Sequence, residues 1–271
     1  MLDDDGLPLD EVGPWAAEKH ERLRKYVDIC RAVRRKFIQR CGAATYIDLY
    51  CGSGRSKIRD TNEVIDGSPL VAFKCARDGG VPFSEIYIAD ADGERCRAAE
   101  KRIIDAGGLP IVEVGNAEVT ARKIATRLNP YGFHFAFLDP NNLEDLPFSV
   151  IETLARFKHM DMLIHVSAQD LQRNLDSYAM ASDSPLERFA PGWRTAINLK
   201  QSRPATRAAV VAYWASKIDA IGLPPSKRAP LVRARTKNQR LYWLVLVGRH
   251  ERAREFWDKI QDVSGQGELP L

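Results

Sequence analysis

The sequence predicts a doubly wound α/β fold, and three observations carry that reading. Short apolar strands alternate with amphipathic helical stretches at a period of roughly 30 to 40 residues, the repeat of consecutive βα units in a parallel sheet. The first of these strands runs straight into a glycine turn, in "YIDLYCGSGR" at 46–55. The last two, "LVRART" and "RLYWLVLVG", are separated only by the polar tip "KNQ" and read as an antiparallel hairpin.

Residues 1–14 are acidic and are expected as a tail. Residues 15–40 place Trp15, Leu23, Val27, Cys30, Val33 and Phe37 at mostly three- and four-residue steps, the signature of one N-terminal amphipathic helix. "ATYIDLYCG" reads as a buried strand, followed by a loop over 55–66. In "DGSPLVAFKCARDGG", Ser68 suits an N-cap and Pro69 the first helical position, with the helix closing at Gly79. Strand "SEIYIADAD", helix "GERCRAAEKRIIDAGG", strand "LPIVEVGNA", helix "TARKIATRLN", strand "HFAFLDPNN", helix "FSVIETLARF" and strand "MDMLIHVSAQD" continue the alternation. Residues 171–203, with "SDSP" and "APGW", read as a polar, irregular insertion on the substrate side. "RPATRAAVVAYWASKIDAIG" then forms a helix burying Val210, Val211, Trp214, Ile218 and Ile221. The sum is a Rossmann-like, mostly parallel seven-stranded sheet with helices on both faces and a terminal hairpin, in one domain over 15–271. That topology fits the class I methyltransferase variant of the doubly wound fold better than a nicotinamide dehydrogenase.

At 271 residues, 45% hydrophobic and 28% charged, the chain has the composition of a folded enzyme domain and not of a disordered or membrane protein. Its five cysteines, Cys30, Cys41, Cys51, Cys75 and Cys96, are odd in number and lack metal-ligand spacing, so reduced thiols in a cytoplasmic protein without a metal site are expected. The acidic start lacks the apolar stretch of a secretory signal, and "LYWLVLVG" is too short to cross a bilayer. Net charge is only +4 but uneven: 15–40 carries nine Lys or Arg against three acids, and 194–260 carries fifteen against four. Basic N-terminal and C-terminal helices of this kind point to DNA or RNA as partner, with solvated basic helices as the plain alternative.

The glycine turn excludes the common phosphate binders. A dinucleotide fingerprint needs GxGxxG, but Lys57 stands where the third glycine belongs, and no GxxxxGK is present. An acid immediately before the glycines suits a cationic ligand instead. S-adenosylmethionine, which carries an ammonium, a sulfonium and no phosphate, has that chemistry. Asp48, Tyr50, Gly52 and Gly54 are therefore expected at its methionine end. Asp90, with Asp92 as near alternative, falls at the end of the second strand where a carboxylate accepts from ribose hydroxyls. Asn116 follows the third strand and suits the adenine edge. Each has a local alternative: a turn cap for Asp48, a helix cap for Asp90, a tight turn for Asn116.

At the fourth strand end, "FLDPNN" places Asp139 and Pro140 in a pattern similar to the (D/N/S)PP(Y/F) loop of amino-methyltransferases, where a carboxylate or carbonyl accepts from the target amine. Asp139 and Pro140 match and are the catalytic candidates, Asp139 alternatively as a cap of the turn after the strand, while Asn141 and Asn142 replace the second proline and the aromatic that would stack on a flipped base. Asn141, Arg173 and Trp193 are candidates for substrate contact, Trp193 alternatively as an anchor for the insertion. His134, His159 and His165 lack metal spacing and are expected as packed or hydrogen-bonded side chains rather than catalysts.

Taken in order, Trp15, Lys19, Leu23 and Tyr26, "YIDLYCGSGR", "DGSPLVA", "FLDP", "LYWLVLVGRH" and "FWDKI" resemble the three-Cys-motif partner (TcmP) family, over most of the chain. The resemblance implies a class I methyltransferase fold and, as partner, a three-Cys-motif protein that itself resembles radical S-adenosylmethionine enzymes. Asn141 and Asn142 depart from the family, which commonly has an aromatic and glycine there, and Cys51 stands where alanine is frequent.

Overall fold

The computed structural model describes residues 1–233, 240–261 and 268–270. They form two compact units, Met1–Leu138 with Phe157–Met162, and Asp139–Arg156 with Leu163–Leu271.

The first unit contains β1 (Asp10–Val12), α1 (Trp15–Ile29), α2 (Arg31–Cys41), β2 (Ala44–Asp48), β3 (Arg55–Ile58), β4 (Val64–Asp66), α3 (Ser68–Asp78), β5 (Glu85–Asp90), α4 (Gly93–Asp105), β6 (Ile111–Val114), α5 (Ala117–Ala125) and β7 (Phe133–Leu138). All residues of β2 are buried, as a strand covered on both faces requires. It lies parallel to β7 on one side and to β5 on the other, with β6 parallel beyond β5. In this register Asp48 stands opposite Ile88, so Asp48 and Asp90 finish neighbouring strands at the same end. Tyr46, Phe135 and Tyr26 pack as a chain of tilted rings, with centroids 5.9 and 4.9 Å apart.

Four local features depart from the expected pattern. The N-terminal helix is two helices, broken at Cys30. Fully buried Arg34 donates to the Val27 carbonyl, which a continuous helix would give to residue 31, and to Val81 O at 3.0 Å. The cap of α3 is Gly67 rather than Ser68, which lies inside the first turn with Pro69. The expected loop over 55–66 is the β3–β4 hairpin, turned through Asp60 in the left-handed region. It joins β1 in a separate three-stranded sheet. Residues 1–14, expected as an acidic tail, are thus partly strand, and the acids in them face buried Arg102 and partly exposed Arg55.

The second unit contains α6 (Phe148–Ala155), most of β8 (Met160–Ser167), α7 (Ala168–Met180), α8 (Pro185–Phe189), α9 (Trp193–Ala196), α10 (Arg203–Ala220), β9 (Arg228–Arg233), β10 (Arg240–Gly248), α11 (Glu251–Gln261) and β11 (Glu268–Pro270). β10 follows β8 in the sheet and pairs antiparallel with β9, Tyr242 opposite Val232 and Trp243 opposite Leu231. The expected hairpin is present; its tip 237–239, with Arg235, lies outside the described residues. β11 adds an antiparallel edge on β9. The stretch expected to be irregular from 171 is largely helical, because Ser167 caps α7 by accepting from Asp170 N–H at 3.1 Å and Leu171 and Leu175 bury one face. The chain is an α/β protein with a Rossmann-like, mostly parallel sheet that ends in an antiparallel hairpin.

Candidate cofactor turn and acceptor-side residues

Backbone amides of the turn after β2 point into the protein's own acceptors. Tyr50 N–H donates to Asp48 Oδ1 at 3.2 Å, and Cys51 N–H to Ala89 O at 2.9 Å. Gly52 N–H donates to Asp90 Oδ2 at 3.1 Å and Ser53 N–H to Asp10 Oδ2 at 2.8 Å. Three carboxylates from three segments therefore converge on four residues. Asp48 is fully buried and also accepts from Tyr46 Oη at 2.9 Å. Asp10 pairs with Arg95 at 3.2 Å. A phosphate cradle needs free amides at such a turn, and here Asp48, Asp90 and Asp10 already hold three of them.

Glycine is required twice in this turn. Gly52 and Gly54 have φ of +56° and +83°, and a Cβ at Gly52 would lie 2.8 Å from Asp10 Oδ2 while one at Gly54 would lie 3.0 Å from Ala99 Cα. Cys51 is buried beneath the turn, and its thiol hydrogen bond with Cys96 pushes the Cys51 pKa up.

The other cofactor candidates divide by role. Asp90 is half-buried and its second oxygen accepts from Asp92 N–H at 3.0 Å. Asp92, not Asp90, caps α4, where the amides of Glu94 and Arg95 hold its carboxyl below the usual range. Asn116, expected at the adenine edge, caps α5, its Oδ1 accepting from Val119 N–H at 3.0 Å.

In the second unit, Asp139 follows the last residue of β7 and Pro140 is buried beside it. Asp139 Oδ1 lies 3.8 Å from Nδ1 of His165, whose ring packs on Tyr242 with centroids 4.4 Å apart. His165, expected as a packed or hydrogen-bonded side chain, is both packed and an acid–histidine neighbour of the catalytic candidate. Nothing in the sequence spacing of 139 and 165 signals this, since the pair forms only when the strands carrying them are placed. Asn141 is exposed, whereas Asn142 turns inward and accepts from Asp145 N–H at 3.0 Å. Asp170 fastens the same loop, accepting from Leu143 N–H at 3.0 Å, from Tyr178 Oη and from Asn174; burial near it pushes Tyr178 up to about 12. Arg173 is exposed on α7. Trp193 is fully buried with Arg194 stacked on its ring at 4.8 Å, which makes it an anchor of its segment and leaves it no surface for a substrate.

Much of the basic charge has structural partners. On α1 and at the start of α2, Arg22, Arg24, Lys25 and Arg31 pair with acids three or four residues away, and Arg34 is buried. Arg35, Lys36 and Arg40 remain exposed on α2. In the second unit, Arg194 donates to Ala179 O, Arg249 to Gly222 O and Ala155 O, and Arg254 to Gly248 O. Asp3, Asp4 and Asp5 cluster closely enough to hold a cation, but Arg55 and Arg102 pair with them. No helix among the described residues is long and apolar enough to cross a membrane.

No family model matches the chain, and no curated protein matches it. Solved structures do. Protein LPL1258 from Legionella pneumophila, assigned to family model DUF519, superposes with a TM-score of 0.51 at 10% identity over 89% of this chain and 90% of its own. The S-adenosylhomocysteine-bound methyltransferase PaMTH1 from Podospora anserina gives 0.41 at 15% identity, over 89% of both chains. An rRNA methylase from Streptococcus thermophilus gives 0.40 at 9% identity, over 85% and 93%. At these identities the likeness to LPL1258 bears on the fold alone.

Proposed function

We propose that the chain is an S-adenosylmethionine-dependent methyltransferase acting on nucleic acid. The observation that carries this reading is the turn at 50–53, where Asp48, Asp90 and Asp10 present negative charge and hold amides that a phosphate ligand would need. A cationic, phosphate-free ligand is the complement of such a turn. Asp48, buried beneath the turn, would act on the methionine end through its charge, the glycines through close backbone approach, and Asp90 would accept from the ribose hydroxyls. When bound, S-adenosylmethionine supplies an already activated methyl group, so the protein has little acid–base chemistry to perform beyond alignment. Asp139 would orient the acceptor and take its hydrogen bond, and His165 stands near enough to share the proton that the acceptor releases. The resemblance to three-Cys-motif partners supplies the expected partner protein, and a cytoplasmic setting agrees with five free thiols.

A second reading, a non-catalytic adaptor that brings nucleic acid to the three-Cys-motif protein, is favoured by Asn141 and Asn142 after Asp139 and Pro140. Calorimetric titration of S-adenosylmethionine and S-adenosylhomocysteine, with Asp90→Ala as control, followed by methyl incorporation over a DNA and RNA panel, separates the two. Micromolar binding, near about −8 kcal/mol, that is lost in Asp90→Ala and accompanied by methyl incorporation supports the enzyme. Cofactor binding without incorporation into any nucleic acid favours the adaptor, and absence of binding refutes the cofactor site.

A further inference from the structure

The segment before Trp15 does more than cover the surface. Asp10 accepts from Ser53 N–H at 2.8 Å, and Arg102 of α4 donates to Ser53 O at 2.7 Å, so the residue between the two left-handed glycines is gripped from both sides. Arg102 is almost fully buried and is itself held by the same segment, through Asp5 at 2.7 and 2.8 Å, Asp3 at 3.2 Å and Pro8 O at 2.9 Å. The segment is moored further along: β1 lies parallel to β3, Arg59 N–H donates to Val12 O at 2.8 Å, and Arg59 pairs with Glu11 at 2.7 Å.

We infer that residues 3–12 are part of the cofactor site, a strap in which Asp10 is the positioning residue that sets the glycine turn for its ligand. The inference rests on the methyltransferase reading above. Two glycines with φ near +56° and +83° give the turn many alternatives when nothing holds it. Fixing Ser53 at both its N–H and its C=O removes those alternatives before the ligand arrives, which is the general route by which preorganisation raises affinity. By linkage, a ligand that selects the held turn must in return tighten the strap.

The test is titration of S-adenosylhomocysteine into wild type, Asp10→Ala and Asp10→Asn, with hydrogen exchange of the wild-type chain in its presence and absence. Asp10→Ala is expected to weaken binding by about tenfold, the equivalent of one charge-assisted hydrogen bond. Asp10→Asn, whose amide oxygen still accepts from Ser53 N–H but which lacks the negative charge, should fall between wild type and Asp10→Ala, the gap between the two variants reporting the positioning hydrogen bond. Ligand should slow exchange in the peptide spanning 1–12, a readout that a merely structural strap would not move. Equal affinity of wild type and Asp10→Ala, or strap exchange that ignores bound ligand, overturns the inference alone. Failure of wild type to bind at all overturns the methyltransferase reading together with it. If Asp10→Ala does not fold, wild-type exchange with and without ligand decides the matter by itself.

Discussion

Replacement of Asp48 by alanine and by asparagine is expected to give different results for stability and the same result for ligand binding. The carboxylate is fully buried and accepts from Tyr46 Oη at 2.9 Å and from Tyr50 N–H at 3.2 Å, and Tyr46 is itself fully buried. Asp48→Ala strands both donors, and at about 1–3 kcal/mol for each the total loss is roughly 2–6 kcal/mol. Asp48→Asn keeps one oxygen for the Tyr50 amide, and the Tyr46 hydroxyl can rotate to accept from the new NH₂. Each hydrogen bond then weakens by about 1 kcal/mol on going from a charged to a neutral acceptor, while the desolvation of a buried carboxylate disappears, so the net change stays within about 1–2 kcal/mol. Both variants lose the negative charge beside the ligand and should bind S-adenosylmethionine at least about tenfold more weakly. Urea unfolding measures the first quantity and calorimetry the second. An Asp48→Ala variant as stable as wild type would refute the hydrogen-bond argument, and an Asp48→Asn variant with undiminished affinity would refute the electrostatic one.

Tyr26 donates to Asp161 Oδ2 at 2.9 Å in a buried setting. Tyr26→Phe withdraws that donor and should lower the urea midpoint by the equivalent of about 1–3 kcal/mol with the slope preserved, and an unchanged midpoint counts against it. Burial lowers the His134 pKa from 6.5 to about 4, so the unfolded chain takes up the proton first. Its contribution is complete above about pH 6.5 and is lost as pH falls through about 4, a slope worth up to about 3 kcal/mol. His134→Gln, which can still donate to Asn129 O, should flatten that slope, and a profile identical to wild type would exclude His134 as its source. If nucleic acid lies along α2, charge reversal of Arg35, Lys36 and Arg40 should reduce the salt dependence of binding by about 0.9 in log–log slope for each phosphate that is no longer neutralised; an unaltered slope would remove α2 from that surface.

Residue order alone revealed the elements whose cause is local. β2 and β8 are mostly apolar and buried along their whole length because both of their faces are covered, and such stretches need no knowledge of the neighbours to be recognised. The acids at the ends of β2 and β5 were legible for the same reason, since a strand end is a local event. Features that depend on distant partners were not legible. The break at Cys30 follows from Arg34 turning back onto Val27 O, although arginine has good helix propensity and 15–40 keeps one apolar stripe throughout. Hairpin β3–β4 looked like a loop because "RSKIRDTNEVID" is polar and gains its strand character by pairing with β1 and with itself. Asp10 and Arg102 meet Ser53 from 43 and 49 residues away, and neither lies in a recognisable pattern. For Trp193 the sequence leaves two readings open, a contact surface or an anchor of its segment, because an aromatic in a polar, proline-containing stretch suits both, and its full burial decides for the anchor.

At the foot of the β3–β4 hairpin the chain closes on itself, Gly67 N–H donating to Gly54 O at 2.7 Å. Topologically, residues 55–66 are an excursion that leaves and returns at one point, so a shorter relative could pass from the glycine turn into α3 without shifting either. Yet β3 is the strand on which β1 docks, and β1 extends the segment that carries Asp10. A lineage without the excursion would have no berth for the N-terminal strand, and a lineage without that strand would leave the hairpin's outer edge open to pairing with other chains. Hairpin and N-terminal strand are therefore one structural unit, each supplying the edge on which the other pairs.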